Sequence, residues 1–263
     1  MAQEVDLALM EELMDRDWPA PDREDTGGWV MRAAGGVTQR ANSVWPREQA
    51  GDHESAVRAA GLWYRSRRLP LIFQVFDDER SASLNAVLDE QRFTRQSETL
   101  IMVRAGGVLP GTQFDADASG VEISDEPSAE WLRLWWSVDG RGGDAELAIA
   151  RNILAGCPAL YALARNDDGA PAAVGRLALP SGEQVRGGIY CMATAAESRR
   201  NGHGQRVLDA LLCAGTHREV VQFWLLVLAS NTGAQALYER AGFAVEGGYL
   251  YRQARPRRAL SGC

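Results

Sequence analysis

With 263 residues, of which 46% are hydrophobic and 24% charged, the chain has the composition of a folded protein, long enough for one large domain or two of ordinary size. Its net charge of -7 and the lack of a long basic tract argue against nucleic acid as a partner, and all 28 basic residues are arginine, so no ammonium side chain is available as base or Schiff-base former. Cys157, Cys191, Cys213 and Cys263 form no C-x-x-C pair, the chain does not begin with a basic-then-apolar leader, and no apolar run approaches the ~20 residues of a membrane span; no metal, no membrane partner and a cytoplasmic location are expected.

In chain order, Val5, Leu9, Leu13 and Met14 among acids predict a helix over 4–17 that stops at Trp18-Pro19. Residues 28–33 and 38–45, joined through Gly35-Gly36, are expected to pair as a hairpin. A helix follows over 54–68, a buried strand over 71–76, a short helix over 83–91 and a strand over 99–103. From 106 to 120 the chain turns to Gly, Pro, Asp and Ser without periodicity. A linker between domains at 1–105 and 121–254 is preferred there over a long surface loop, because strand and helix signals resume in similar order beyond it.

The second domain opens with a strand at 121–123 and a helix begun by Ser128 and filled with Trp131, Leu132, Leu134, Trp135 and Trp136. A second helix is expected over 145–154, then a hairpin of 160–165 and 172–179 about the turn Asn166-Asp167-Asp168-Gly169. A strand ending at Thr194 leads through Arg199-Arg200-Asn201-Gly202-His203-Gly204 into a helix beginning near Gln205. A buried strand over 221–228, a helix over 232–241 closed by Gly242, and two last strands at 243–245 and 249–251 complete the domain; 255–263 is read as a tail. The expected class is α/β (α+β), two units each with a mixed, mostly antiparallel sheet flanked by helices.

The glycine turn carries the first chemistry. Gly202 and Gly204 let a ligand approach the backbone closely, and the first amides of the helix have no internal partner, so strand, turn and helix together suit a phosphate, with Arg199 and Arg200 supplying charge. The second feature is Asn231-x-x-Ala234-x-x-x-Tyr238-x-x-x-Gly242-Phe243, directly after an apolar strand. Ala234 and Tyr238, four apart, share a helix face, and Asn231 stands where it can cap that helix or bond a ligand.

These two segments resemble the signatures of the GCN5-related N-acetyltransferases (GNATs): Arg199-x-x-Gly202-x-Gly204 matches their [Gln/Arg]-x-x-Gly-x-[Gly/Ala], and residues 231–243 their later motif. The resemblance covers the second half of the chain. It implies that backbone groups of Met192, Ala193 and Thr194 hold the pantetheine of acetyl-CoA. Arg199, Arg200, Asn201, Gly202, His203, Gly204 and Gln205 would hold the pyrophosphate, Asn231 would contact the pantetheine region, and Tyr238 would protonate the departing thiolate. It implies transfer of acetyl to a primary amine of a small molecule or peptide by direct attack in a ternary complex. The alternative is a non-catalytic acyl-CoA-binding or regulatory module. Where many members carry a glutamate on the fourth strand, this chain has Tyr190, Cys191 and Met192; Asp139, Asp144 and Glu146 remain as candidate bases. The first half mirrors the later motif over 71–103, with Gln91-Arg92-Phe93 standing where Ala241-Gly242-Phe243 stands, but lacks the glycine turn. It is identified as the degenerate half of a tandem GNAT, and residues 29–43 look like the N-terminal region of such tandem proteins.

Overall fold

The computed structural model describes residues 6–76, 78–107, 120–179 and 185–255. Most of the tail expected at 255–263 and most of the expected linker therefore lie outside the described residues. Chain contacts group into two units: Met1–Pro19, Leu100–Val227 and Asn231–Glu246 in the first, Ala20–Thr99, Leu228–Ser230 and Gly247–Cys263 in the second. The division differs from the one expected at 105 and 121. The N-terminal helix belongs with the second half of the sequence, because its stripe of Met10, Leu13, Met14 and Asp17 is buried and Trp18 stacks on Tyr190 with ring centroids 5.4 Å apart.

The first unit contains that helix, α1 (Leu7–Asp17), whose N-cap Asp6 accepts from the amides of Ala8 and Leu9. The second unit holds β1 (Asp22–Asp25), β2 (Trp29–Ala33), β3 (Val44–Pro46), α2 (His53–Ser66), β4 (Ile72–Phe76) and α3 (Ala82–Glu90). The strand β5 (Thr94–Ala105) passes from the second unit into the first at Leu100. Then come β6 (Val121–Ser124), α4 (Ala129–Asp139), α5 (Asp144–Ala155), β7 (Ala159–Arg165), β8 (Pro171–Ala178), β9 (Arg186–Thr194), α6 (His203–Thr216), β10 (Gln222–Leu228) and α7 (Thr232–Arg240). The last strand, β11 (Ala244–Gln253), returns to the second unit at Gly247; it is one strand where two were expected.

In the second unit the strand order is β1-β2-β3-β4-β11, and the hairpin expected at 28–45 is the antiparallel pair β2 and β3. Its core is built from Trp29, Val44, Tyr64, Phe73 and Leu88 among others. In the first unit the order is β5-β10-β9-β8-β7-β6. The neighbours β6, β7, β8 and β9 run antiparallel in turn, whereas β9 and β10 are parallel, as the crossover through α6 requires. Apolar residues of α6, among them Val207, Leu208, Leu211 and Leu212, join Leu177, Ile189, Phe223 and Leu225 in this unit's core. Trp131 and Trp135 of α4 are also buried, and the Trp131 indole donates to the Gly175 carbonyl at 3.1 Å. Among the described residues no helix is long and apolar enough to cross a membrane.

Candidate active site

Two irregularities of β9 shape the site. Its ladder with β8 runs Ala173↔Thr194 and Val174↔Ala193, then shifts so that Arg176 faces Tyr190. Cys191 and Met192 thus stand opposite Gly175 alone, and Cys191 takes a left-handed φ of 54°. That is a β-bulge, which bends a strand and re-aims its side chains. Gly175 is required opposite it: a Cβ there would stand 2.6 Å from Met192 Sδ and 2.8 Å from Val207 Cγ1.

The second irregularity lies on the other edge. Pairing between β9 and β10 begins at Gln222↔Arg186 and ends at Leu225↔Ile189. Both strands continue, β9 to Thr194 and β10 to Leu228, without pairing further to each other. The two parallel strands therefore part after Ile189. Along Tyr190 to Thr194 the backbone edge turned toward β10 is left out of that ladder, and such groups demand partners. Met192, Ala193 and Thr194 all lie on this stretch.

The parted strand leads into the glycine turn. A short 3-10 turn at Ala196–Ser198 is followed by Arg200 with φ 64° and Gly202 with φ 79°. Gly202 is the N-cap of α6 and no side chain caps the helix; its carbonyl accepts from the Arg206 amide at 3.0 Å. The amides of the first turn have no partner within the helix and stand at the positive end of a helix of 14 residues. A Cβ on Gly202 would meet nothing within 4 Å, so the space before the helix is open, and one on Gly204 would touch Thr194 Oγ1 at 3.3 Å. Arg199, Arg200 and Asn201 are exposed around this space. His203 is buried instead, its Nδ1 3.4 Å from Arg206 Nη1, and Gln205 donates to Asp209 at 2.9 Å; both side chains support the helix.

Tyr238 stands on α7. Asn231 caps that helix, its Oδ1 accepting from the Ala234 amide at 3.2 Å, which commits the oxygen while Asn231 itself stays exposed. Gly242, with φ 87°, ends the helix, and the Phe243 amide returns to the Tyr238 carbonyl at 3.0 Å. The Tyr238 side chain is 7% exposed and packs on Phe243. Burial pushes its phenol up to about 12, and the negative charge of Asp139 at the end of α4 adds to the rise. A phenol so placed remains protonated through the neutral range and can donate to a group that becomes anionic.

Of the three candidate bases, Glu146 is occupied as the capping residue of α5, accepting from the Gly143 amide at 2.8 Å. Asp139 acts electrostatically on Tyr238, and Asp144 lies in the exposed first turn of α5. Among the described residues no group of three or more His, Cys, Asp and Glu side chains could hold a metal ion.

The second unit repeats the corner but not the chemistry. Arg92 (φ 60°) takes the place of Gly242, and the Phe93 amide bonds the Leu88 carbonyl at 2.9 Å as Phe243 bonds Tyr238. The position equivalent to Tyr238 is therefore Leu88, fully buried. That unit has no proton donor there.

Residues 6–252 match the family model described as "Probable histone acetyltransferase Rv0428c C-terminal". The chain is 25% identical over 247 residues to the "Uncharacterized N-acetyltransferase YobR" of Bacillus subtilis, covering 94% of this chain and 98% of that one. Among solved structures, a GCN5-related N-acetyltransferase from Kribbella flavida is similar with a TM-score of 0.67 at 18% identity, over 97% of both chains. A tandem GNAT protein from the clavulanic acid biosynthesis pathway is similar with a TM-score of 0.62 at 13% identity, over 94% of this chain and 88% of that one. The parted parallel strands, the open helix N-terminus and the family match agree: the chain belongs to the Rv0428c C-terminal family of acetyltransferases and has the GNAT fold.

Proposed function

We propose that this protein transfers acetyl from acetyl-CoA to a primary amine of a small molecule or peptide, by direct attack within a ternary complex, and that only the first unit carries out the reaction. The observation that carries the reading is the parting of β9 from β10 after Ile189↔Leu225, continued into the uncapped start of α6. A linear donor with an amide-rich arm and a pyrophosphate needs such a surface: strand backbone for the arm, free helix amides for the anion. Met192, Ala193 and Thr194 would bond the arm, and residues Arg199 to Gln205 would surround the pyrophosphate, mainly through backbone and through Arg199 and Arg200. His203 and Gln205 serve there through their backbone, since their side chains are turned to Arg206 and Asp209. Asn231 has its oxygen on the helix cap, leaving its amide nitrogen as the group for the donor.

Bound acetyl-CoA supplies the thioester. The amine nitrogen attacks its carbonyl carbon, the C–N bond forms and the C–S bond breaks, and Tyr238 gives its proton to the sulfur. Burial suits this role because it keeps the phenol neutral until negative charge develops beside it. Retention of Tyr238, buried and held neutral, is what favours an enzyme over a binding module.

The test is CoA release from acetyl-CoA with a panel of amines, by wild type and by Tyr238→Phe. The expected outcome is turnover by the wild type and a loss of roughly 100-fold or more in the mutant, with acetyl-CoA binding retained. Binding without turnover on the whole panel would establish the non-catalytic reading instead.

A further inference from the structure

The reaction needs a group to take a proton from the attacking amine, and the positions expected from sequence are capping or exposed. A different carboxylate lies inside the first unit. Asp17, the last residue of α1, is 0% exposed, and neither carboxylate oxygen has a hydrogen-bond partner among the described residues. Its carboxylate is packed against the backbone of β9 at Gly188, where a Cβ would collide with Asp17 Oδ2 and would also lie 2.7 Å from Tyr190 Cε2 and 2.9 Å from Trp224 Cζ2. Three side chains thus converge on the space of one absent methyl group. Trp224 Nε1, itself buried, also lacks a partner among the described residues.

The place of this cluster matters. Gly188 pairs with Trp224, the last pair but one before β9 and β10 part. Successive strand residues rise about 3.3 Å, so the carboxylate sits roughly 7 Å along the strand from the first unpaired residue. A structural ion pair does not account for it. The guanidinium of Arg176, also fully buried, donates to the backbone carbonyls of Asp17 (3.2 Å), Leu154 (3.3 Å) and Cys157 (3.1 Å), not to the carboxylate. A buried carboxylate without a hydrogen bond is costly, and the charges of Arg176 and Arg16 offset that cost only in part, which is the pattern of a group kept for chemistry.

We propose that Asp17 takes the proton from the acceptor amine. This rests on the acetyl-transfer reading above. The ammonium gives one proton to the Asp17 carboxylate, the neutral nitrogen attacks the thioester carbon, and the nitrogen's second proton balances the one Tyr238 gives to sulfur. Asp17 afterwards returns its proton to solvent. Because the side chain is 0% exposed, it exchanges protons only with a group or a water that enters the cluster, which keeps bulk solvent from levelling its basicity.

The surroundings agree. Burial raises the Asp17 carboxyl from 3.8 to about 8, against the opposing charges of Arg176 on β8 and Arg16 on its own helix. The other ionisable groups around the cluster are Cys157 just before β7, Tyr161 on β7, and Tyr190 and Cys191 on β9, with Glu11 buried on α1; the buried residues of α4 are the apolar Trp131, Leu132, Leu134 and Trp135. Cys157 and Tyr161 are themselves raised, chiefly by burial, so they stay neutral while Asp17 titrates. A base near 8 is matched to a reaction that must run close to neutrality.

The test uses the full chain, acetyl-CoA, and benzylamine, tyramine, spermidine and a tetrapeptide with a free N-terminus. Rates of CoA release are measured from pH 6 to 10 for wild type and Asp17→Asn. For wild type, kcat/KM for the amine should rise with pH through about 8; in Asp17→Asn it should fall roughly 100-fold or more and lose that rise, while KM for acetyl-CoA stays within about twofold. Rates within about threefold of wild type, with the same pH profile, overturn the inference and leave acetyl transfer standing. No transfer by the wild type to any of the amines overturns the acetyl-transfer reading and the inference with it. Should Asp17→Asn fail to fold, infrared difference spectra of wild type with carbon-13 aspartate decide the matter. Mixing with the best amine at pH 9 should produce a protonated-carboxyl band, and its absence overturns the proposal.

Discussion

Replacing Asp17 by Asn should stabilise the protein, and the gain should grow with pH. Asparagine keeps the side-chain shape and cannot ionise. The carboxyl titrates near 3.8 when exposed and at about 8 in the fold. A folded-state value above the unfolded one means that the folded protein holds the proton more tightly. Its stabilising effect is whole below pH 4 and is lost progressively as pH rises through about 8. At about 1.4 kcal/mol per pH unit, the loss between those limits is about 6 kcal/mol, of which about 1.4 kcal/mol falls between pH 5 and 6 alone. That is a large part of the ~5–15 kcal/mol that holds an ordinary domain together. Urea unfolding of wild type and Asp17→Asn at pH 5, 7 and 9 gives the difference directly. The curves should diverge with rising pH. The carboxylates held below their usual range, Asp52 and Asp89, titrate at acid pH and cancel between the two proteins. A difference that stays constant within about 1 kcal/mol from pH 5 to 9 would refute the reasoning, because it would mean that Asp17 is ionised and compensated in the fold.

Three further outcomes are expected. Gly188→Ala drives a methyl group into the Asp17, Tyr190 and Trp224 contacts and should cost about 1–3 kcal/mol in denaturant unfolding; in a double mutant with Asp17→Ala the cost should shrink, and strict additivity would count against the packing described. Gly202→Val puts a β-branched side chain at φ 79° in the open space before α6, so acetyl-CoA affinity measured by calorimetry should fall at least tenfold, whereas unimpaired binding would remove the turn from the donor site. Asn231→Ala removes the cap on the Ala234 amide and should lower stability by about 1 kcal/mol, which Asn231→Asp should restore in a thermal melt.

Much of the first unit could be read from periodicity and punctuation. Ser128 was expected to start a helix and does so by capping the Trp131 amide, and the glycine turn and the Asn231 to Phe243 segment stand where their residue types place them. What could not be read depends on partners far along the chain. The strand β1 consists of Asp-Arg-Glu-Asp, four exposed charged residues without alternation, and exists only because β2 pairs with it. Two strands were expected at 243–245 and 249–251, yet β11 runs unbroken through Gly247 and Gly248 between them. The left-handed turn at Cys191 has no glycine to announce it; the glycine that makes it possible is Gly175 on the neighbouring strand. Asp17 does carry a signal in the sequence: it follows Met10, Leu13 and Met14 at intervals of seven, four and three, so an acid occupies the apolar stripe of α1. The parting of β9 and β10 left no mark in residue type, because unpaired backbone looks like any other.

The company α1 keeps has a consequence for how the protein is made. Its unit draws on Met1–Pro19 and then on nothing before Leu100, so α1 waits while Ala20–Thr99 is synthesised. At ~5–20 residues per second that interval lasts several seconds, long beside the microseconds in which a helix forms and frays. During it the apolar stripe of α1, with Asp17 still in water and ionised, has no sheet to pack on. Completion comes only when β9 and β10 have been made and paired. A late, long-range closure of this kind makes the N-terminal segment the natural target of proteases and chaperones during biogenesis, and removing it would cost the unit part of its core.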